Sequence, residues 1–581
     1  MGDRLLDRKR GEGYLDMINP NDDTAPWKTG ARPGGLSLGK RARISRSGRP
    51  AAPFLWRPIM ALVDEIQKRR TFAIISHPDA GKTTLTEKLL LYSGAIDRAG
   101  SVKGREGSGM AQSDWMTIEQ ERGISVTSAA MQFEYHDHII NLLDTPGHQD
   151  FSEDTYRALT AADSVVMLLD CAKGVEEQTK KLFRVAKDRQ LPIFTFVNKL
   201  DRPGREPIEL IDEVEELFGL HAVPMTWPIG SGPDFKGVYV RATGQIQVFE
   251  RTKAGRKARV AGKGGLDDPE IAALLTPAEL QQLKEDVELM DHVLPSFDVE
   301  EFLAGRQSPL FFGSALNNFG IAEFLDEFLE MAPCPQGRPL ANGGEVKAEQ
   351  SFTAFVFKVQ ANMNKAHRDR VAFARIVSGH FERGMDALHV REKKSIKLNY
   401  PHMFFGRERQ IVDEAYPGDI LGLINPGMFR IGDVLSASGP LEFHAVPRFS
   451  PEQFSSVRLA DPGARKGFLK GLQQIAEEGV VQVFWPKGGA PLPILGAIGR
   501  LQFEVLQHRL KDEYACAVIL EPRSYQMARW IEGGWPEASR YWGELVEDSD
   551  GNPAILFEND WQRRTTAEKC PALQFHPHPL K

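Results

Sequence analysis

Phe72-Ala73-Ile74-Ile75-Ser76-His77-Pro78-Asp79-Ala80-Gly81-Lys82-Thr83-Thr84 sets an apolar strand directly before a Gly-Lys-Thr turn, and a helical pattern opens near Leu85. A loop wrapped around a polyphosphate must aim several backbone N–H groups at its oxygens, and the helix behind it adds its positive N-terminal end. Gly81 has no Cβ to block close approach, Lys82 can reach the β and γ phosphates, and the Thr83 hydroxyl can hold a Mg²⁺ that bridges them. Ser76 stands where the general pattern has its first glycine. A Gly-Lys-Thr also occurs in ordinary strand-to-helix turns, so other motifs must decide.

Working outward, buried strands alternate with helices from Thr71 onward, with strands expected at Phe72–Ile75, His138–Leu143, Asp163–Leu169, Pro192–Val197 and Pro309–Gly313. Near-continuous apolar runs of this length suit a parallel sheet covered on both faces. Ligands of such sheets bind at the carboxyl ends of the strands, and the polar motifs fall there. Asp144-Thr145-Pro146-Gly147-His148 follows one strand. A carboxylate at that position can bind Mg²⁺ through water, and the Gly147 N–H can approach a γ-phosphate. Asn198-Lys199-Leu200-Asp201 follows another, and one carboxylate placed edge-on can accept both N1–H and the exocyclic amine of guanine. Between them, Arg122-Gly123-Ile124-Ser125-Val126-Thr127 comes after a Gly- and Ser-rich segment, residues 100–109, that reads as mobile. A hydroxyl there could complete the Mg²⁺ shell only while a γ-phosphate is present, which would make the segment a switch. Three nucleotide-type loops in this order indicate a guanine-nucleotide-binding domain.

The chain has 581 residues and a formal net charge of −7. That length allows about three or four domains, and that charge argues against a surface that coats nucleic acid throughout. Cys171, Cys334, Cys516 and Cys570 are far apart, without metal-ligand spacing. A reducing cytoplasm fits best. No apolar run approaches the roughly 18 residues that a membrane span requires. Residues 1–59, with Arg41, Arg43, Arg46 and Arg49 clustered, cannot bury a core and are expected to be a disordered basic extension. A nucleic-acid-binding arm and a start-site artefact are both compatible with that composition.

These residues resemble the translational GTPases, in which an Arg-Gly-Ile-Thr switch precedes Asp-Thr-Pro-Gly-His and Asn-Lys-x-Asp. Ser76 to Thr83, Ser113-Asp114-Trp115-Met116, Gln360-Ala361-Asn362-Met363 with His367-Arg368-Asp369-Arg370, and Glu414-Ala415-Tyr416-Pro417-Gly418-Asp419 narrow the resemblance to the bacterial peptide chain release factor 3 family. It covers about Met60 to His578. The resemblance implies that GTP or GDP is held by Ser76, His77, Pro78, Asp79, Ala80, Gly81, Lys82 and Thr83, by Asp144, Thr145, Pro146, Gly147 and His148, by Asn198, Lys199, Leu200 and Asp201, and by Ser314, Ala315 and Leu316. It assigns His148 to orienting the attacking water, and Mg²⁺ to Thr83, Ser125 and, through water, Asp144. Ser125 stands where most relatives have threonine, so Thr127 is an alternative ligand. Pro78 replaces a valine that flanks the water in some relatives. The implied partners are the ribosome and the stop-codon-reading release factors that it would dissociate, with no membrane or DNA partner, in a monomer. An elongation factor G-like translocase would need further domains, and a GTP-gated ribosome-binding adaptor in assembly or stress response is the other alternative.

The expected fold is multidomain: an α/β P-loop GTPase domain at 60–332 with an insertion at about 231–308, a linker at 333–350, a β-barrel domain at 351–449, and an α/β sandwich domain at 450–581 that ends in a disordered tail. The amphipathic stretch from Pro277 to about His292 is read as part of a packed subdomain. Arg368, Arg370, Arg375 and Arg383 could contact RNA phosphates or line a solvated strand face.

Overall fold

Alternate residues of the first strand go to opposite faces of one sheet. Phe72 and Ile74 join one apolar cluster, Ala73 and Ile75 the other, and all four are fully buried. Val165, Met167 and Leu169 divide from Val166 and Leu168 in the same way, which is why these strands read as unbroken apolar runs. Each such Phe, Ile, Val, Met or Leu side chain contributes about 1.5–3 kcal/mol by leaving water.

The computed structural model describes residues 57–96, 116–122, 124–250, 257–361, 370–405, 408–424, 427–446, 448–488, 492–536 and 541–579. The chain divides into two units between Phe54 and Leu55; residues 1–56 of the expected extension fall outside the described residues, whereas Arg57, Pro58 and Ile59 belong to the first helix, and residues 100–109, 113–115, 362–363 and 367–369 also fall outside. In order, the nucleotide-type domain runs α1 (Arg57–Gln67), β1 (Arg69–Ser76), α2 (Lys82–Ser93), α3 (Thr117–Arg122), β2 (Ala129–Tyr135), β3 (His138–Asp144), α4 (Ser152–Leu159), β4 (Ser164–Asp170), α5 (Glu177–Asp188), β5 (Ile193–Asn198), α6 (Pro207–Phe218), β6 (His221–Pro224), then β7 to β10 (Thr226–Ile229, Gly237–Val240, Gln245–Glu250, Arg259–Gly264), α7 to α9 (Pro269–Leu274, Pro277–Val293, Val299–Leu303), β11 (Gln307–Phe312) and α10 (Ile321–Met331). The sheet order β2-β3-β1-β4-β5-β11-β6 is parallel except for β2. The β2–β3 turn sits at His136 and Asp137, both with positive φ, as a two-residue hairpin turn requires. Strands β7–β10 form a separate antiparallel sheet. With α8, which packs Leu283, Val287 and Met290 inward, they make the insertion a packed unit, and its strands are a feature that the helical pattern at 277–292 did not announce.

Antiparallel strands from Thr353 to Ser436 form the second domain around Phe352, Val356, Ile376, Leu421 and Leu435. Its strand Pro401–Phe405 pairs with β2, so the two domains share one continuous sheet. The Glu414–Asp419 motif explains itself at this junction. Buried Asp419 accepts Arg69 Nε at 2.9 Å, Gln132 Nε2 at 2.9 Å and Asn141 Nδ2 at 3.2 Å, all from the first domain. Arg375 is buried against Asp163 Oδ2 at 2.6 Å and the Gly418 carbonyl at 2.8 Å, and Arg370 pairs with Glu477. Neither is free for RNA phosphates. A cation on a strand looks the same in sequence whether water or another domain faces it. Arg383 is exposed beside Asp413, and Arg368 lies outside the described residues.

The third domain is an eight-stranded antiparallel sheet with the helices Arg465–Glu477 and Arg500–Tyr514 packed through Phe468, Leu472, Ile475, Leu506 and Leu510. The expected disordered tail is corrected. Gln574–His576 is a strand paired with Met527–Glu532, and Phe575 packs edge-on against Phe557. The Pro-flanked histidines there masked an aromatic residue with a partner. Among the described residues, no helix is long and apolar enough to cross a membrane.

Burial pushes the Glu323 carboxyl on α10 up to about 7, with Asp326 raising it further and Lys263 opposing. A carboxyl whose folded value is raised is accommodated as the neutral acid, so its site is most stable below the unfolded value near 4.5 and loses stability as pH rises through 7. Glu323→Gln removes that loss. The variant is expected to gain on wild type by up to about 3 kcal/mol between pH 5 and pH 8 in chemical denaturation, and an equal difference at both pH values would refute the assignment.

Candidate functional site

The four polar loops come together because β1, β3, β5 and β11 run parallel and end at one edge. Register pairs Ile74 with Asp144 and Asp170 with Asn198, so the loops that follow leave the sheet side by side. In the first loop, Asp79 and Gly81 take positive φ (66° and 98°). Ser76 remains the buried end of the strand, which is why no glycine is needed at that position. At Gly81 a Cβ would fall 2.4 Å from Asn198 Nδ2, so the loop closes only without a side chain there. Gly81 then caps α2, whose first residues are Lys82 and Thr83. Lys82 Nζ donates to Asp144 Oδ1 at 2.5 Å, and both side chains are buried. His77 Nδ1 lies 2.7 Å from the Pro78 carbonyl and 2.9 Å from Glu176 Oε2, and Ala80 is buried in the core.

Asn198 is the tie between loops. Its Nδ2 donates to the Ala80 carbonyl at 2.9 Å, and its Oδ1 accepts the Ala315 N–H at 2.9 Å. Lys199, itself at φ 69°, reaches the Asp79 carbonyl and Asp170 Oδ2, the latter at 2.8 Å. Burial alone would raise the Asp170 carboxyl, yet Lys199 and the Ala172 N–H hold it below the usual range. Asp201 Oδ1 accepts the Ser314 hydroxyl at 2.5 Å, and Ser314 Oγ also takes the Asn317 N–H at 3.2 Å. Leu200 is buried in the core and Leu316 is exposed, so neither side chain shares in these contacts.

In the third loop, the Thr145 hydroxyl donates to the Ile74 carbonyl at 2.6 Å and the Pro146 carbonyl accepts from Thr155 Oγ1 at 3.0 Å; both brace the loop on the scaffold. Gly147 meets the phosphate-type loop, where a Cβ would lie 3.2 Å from Pro78 N. His148 caps the short helical turn Gln149–Phe151, its Nδ1 accepting the Asp150 N–H at 3.2 Å.

Residues 116–122 and 124–128 are seated on the third domain. Met116, Ile118 and Val126 cluster with Phe151 and Val505, and Arg122 pairs with Glu504 at 2.7 Å. Glu119 accepts the Met116, Val126 and Thr127 N–H groups at 2.8, 2.9 and 3.1 Å. Ser128 N–H donates to Asp154 Oδ2 at 2.5 Å, and Lys358 from the second domain donates to the Ser128 carbonyl. Ser125 lies within this docked segment, and the buried Thr127 hydroxyl lines a small interdomain cavity with Glu153, Asp154, Lys358 and Glu478. Glu119 and Asp154 were not singled out from sequence. The only signal was two acidic residues on short helices beside polar loops, a pattern too common to point to a role.

The oxygen donors at this edge suit Mg²⁺. Asp144 Oδ2 is buried without a hydrogen-bond partner beside α2, and Thr83 and Ser125 offer hydroxyl oxygens. Hard oxygens in small number are what a Mg²⁺ shared with phosphates and water uses, so the residues fit. Among the described residues, no three His, Cys, Asp or Glu side chains gather as a metal site of their own.

Three family models match: the elongation factor Tu GTP-binding domain over residues 67–334, elongation factor G domain 2 over 351–438, and the class II release factor RF3 C-terminal domain over 443–567. The chain is 54% identical over 520 residues to peptide chain release factor 3 of Symbiobacterium thermophilum, covering 89% of this chain and 98% of that protein. It is 49% identical over 517 residues to the protein of the same name from Synechococcus elongatus, covering 88% and 93%. A crystal structure of a Thermus thermophilus protein superposes with a TM-score of 0.65 at 21% identity over 83% of this chain and 73% of that one, which concerns the fold.

Proposed function

The chain belongs to the peptide chain release factor 3 family, and on that premise we propose that it is a ribosome-dependent GTPase of translation termination, hydrolysing GTP to GDP and phosphate and promoting departure of stop-codon-reading release factors. The observation that carries this function is the convergence of the loops 76–83, 144–148, 198–201 and 314–316 at one sheet edge, braced to one another through Asn198, Lys82 and Gly147. The family favours termination over a translocase or an adaptor.

In this function the phosphate-type loop binds the polyphosphate with its N–H groups and Lys82, and Asp201 accepts the two donors of the guanine edge. Asn198 and Lys199 keep the base loop and phosphate loop at fixed separation. Thr83 and Ser125 would hold Mg²⁺, with Asp144 acting through water, and the ion supplies charge neutralisation on the β and γ phosphates. His148 orients the water for in-line attack. Among the described residues no arginine stands out as a built-in finger, so turnover by the chain alone should be slow and the ribosome should supply the acceleration.

The test is GTP hydrolysis by the full chain, alone and with ribosomes stalled at a stop codon with a release factor bound. Stimulation by about 10² or more, together with faster loss of the bound factor, is the expected result. Slow hydrolysis indifferent to ribosomes would overturn it.

A further inference from the structure

Asp150 is buried between partners from two domains. Its Oδ2 accepts the Leu501 N–H at 2.9 Å, and its Oδ1 lies 3.3 Å from His148 Nδ1. The helix Arg500–Tyr514 opens on Gly499, which has no side chain to satisfy the amides of the first turn. Gln502 Oε1 turns back to accept the Ile498 and Gly499 N–H groups at 2.7 and 3.2 Å. The Leu501 N–H is left to Asp150, which acts as a helix cap supplied from another domain. A Cβ at residue 499 would fall 2.0 Å from the Asp150 carboxyl carbon, so glycine is what admits the carboxylate. Burial raises the carboxyl, but His148 and the Leu501 N–H outweigh it and hold it below the usual range.

The hydrogen bond at one imidazole nitrogen sets the orientation and tautomer with which the other nitrogen works. We propose that Asp150 is a positioning residue for His148: the third domain, seated through Gly499 and Leu501, fixes Asp150, and the Asp150 Oδ1 takes the Nδ1–H in the tautomer that leaves Nε2 as acceptor for the attacking water, in place of the tautomer whose Nδ1 accepts the Asp150 N–H. The proposal rests on His148 being the water-orienting group. Seating of the third domain thereby reaches the chemistry through one carboxylate, beside the separate contacts that Val505 and Glu504 make with residues 116–122 and 124–128.

The experiment uses the full chain with ribosomes carrying a release factor at a stop codon, and reads the single-turnover hydrolysis rate, nucleotide affinity and half-saturating ribosome concentration. Asp150→Ala and Gly499→Ala are each expected to lower the rate by about 10- to 10²-fold with both binding constants unchanged. Asp150→Asn, whose amide oxygen can still accept from Leu501 but whose NH₂ cannot accept the Nδ1–H and so favours the wrong tautomer, should lose about as much rate as Asp150→Ala, and a wild-type rate in it would overturn the proposal. In a His148→Ala background, Asp150→Ala should add almost nothing, because a residue acting through another has nothing left to position. Multiplicative effects of Asp150→Ala and His148→Ala, or a loss that appears only as weaker ribosome binding, would overturn the proposal. Should Asp150→Ala fail to fold, Gly499→Ala displaces the carboxylate without deleting it, and a wild-type rate in that variant also overturns it. Failure of the underlying assignment looks different: His148→Ala itself would then hydrolyse GTP at the wild-type rate.

Discussion

His148→Ala is expected to bind GTP and GDP as wild type does and to hydrolyse GTP on the ribosome at least about 10²-fold more slowly. The loss is confined to the transition state because the imidazole touches none of the groups that hold the loops together. Lys82, Asn198 and Gly147 carry that task. One ground-state cost accompanies it. His148 caps the turn Gln149–Phe151, and a lost cap costs about 0.5–2 kcal/mol locally. Fluorescent-nucleotide titration and a thermal melt alongside quench-flow hydrolysis separate the two effects. A wild-type stimulated rate would remove His148 from the chemistry.

Asp201→Asn should move the preference of the site from guanine to xanthine nucleotides. An anionic carboxylate accepts both N1–H and the exocyclic amine of guanine. The amide presents an NH₂ to that amine but can donate to the carbonyl that xanthine has in its place. A site built to pair a polar edge rejects the mismatched analogue by about 10⁴–10⁵, so GTP affinity should fall by at least about 10² and xanthosine triphosphate should bind better than GTP. The surrounding geometry should survive, because the Ser314 hydroxyl that donates to Oδ1 at 2.5 Å can donate equally to an amide oxygen. Competition titration of the two nucleotides is the measurement. Unchanged GTP affinity would remove Asp201 from the base site.

Much of the scaffold was legible because its signals are local. Phe72–Ser76, Ser164–Asp170 and Ile193–Asn198 are apolar on both faces, and only a sheet covered twice uses such strands. The loops were legible too, because three short polar motifs, each common in ordinary turns, follow the strands in one order. The strands Gly237–Val240, Gln245–Glu250 and Arg259–Gly264 of the insertion were missed because their short runs are broken by glycine and charge, as in a surface loop. The final strand was missed because prolines beside His576 and His578 resemble an unfolded end, whereas Phe575 finds Phe557 only when the sheet is assembled.

By itself, then, the sequence determined the order of the domains, the strand periodicity and the residue types of the nucleotide-type loops, since each depends on neighbours within a few positions along the chain. Only the tertiary structure decided what those side chains face. Arg375 and Arg370 became bridges between domains, Asp419 became the shared acceptor of three donors from the first domain, and Asp150 became the cap of a helix more than three hundred residues away. The physical reason is that a charge buried between domains must find its partner there, and that partner is set by packing across the whole chain, which no local spacing encodes.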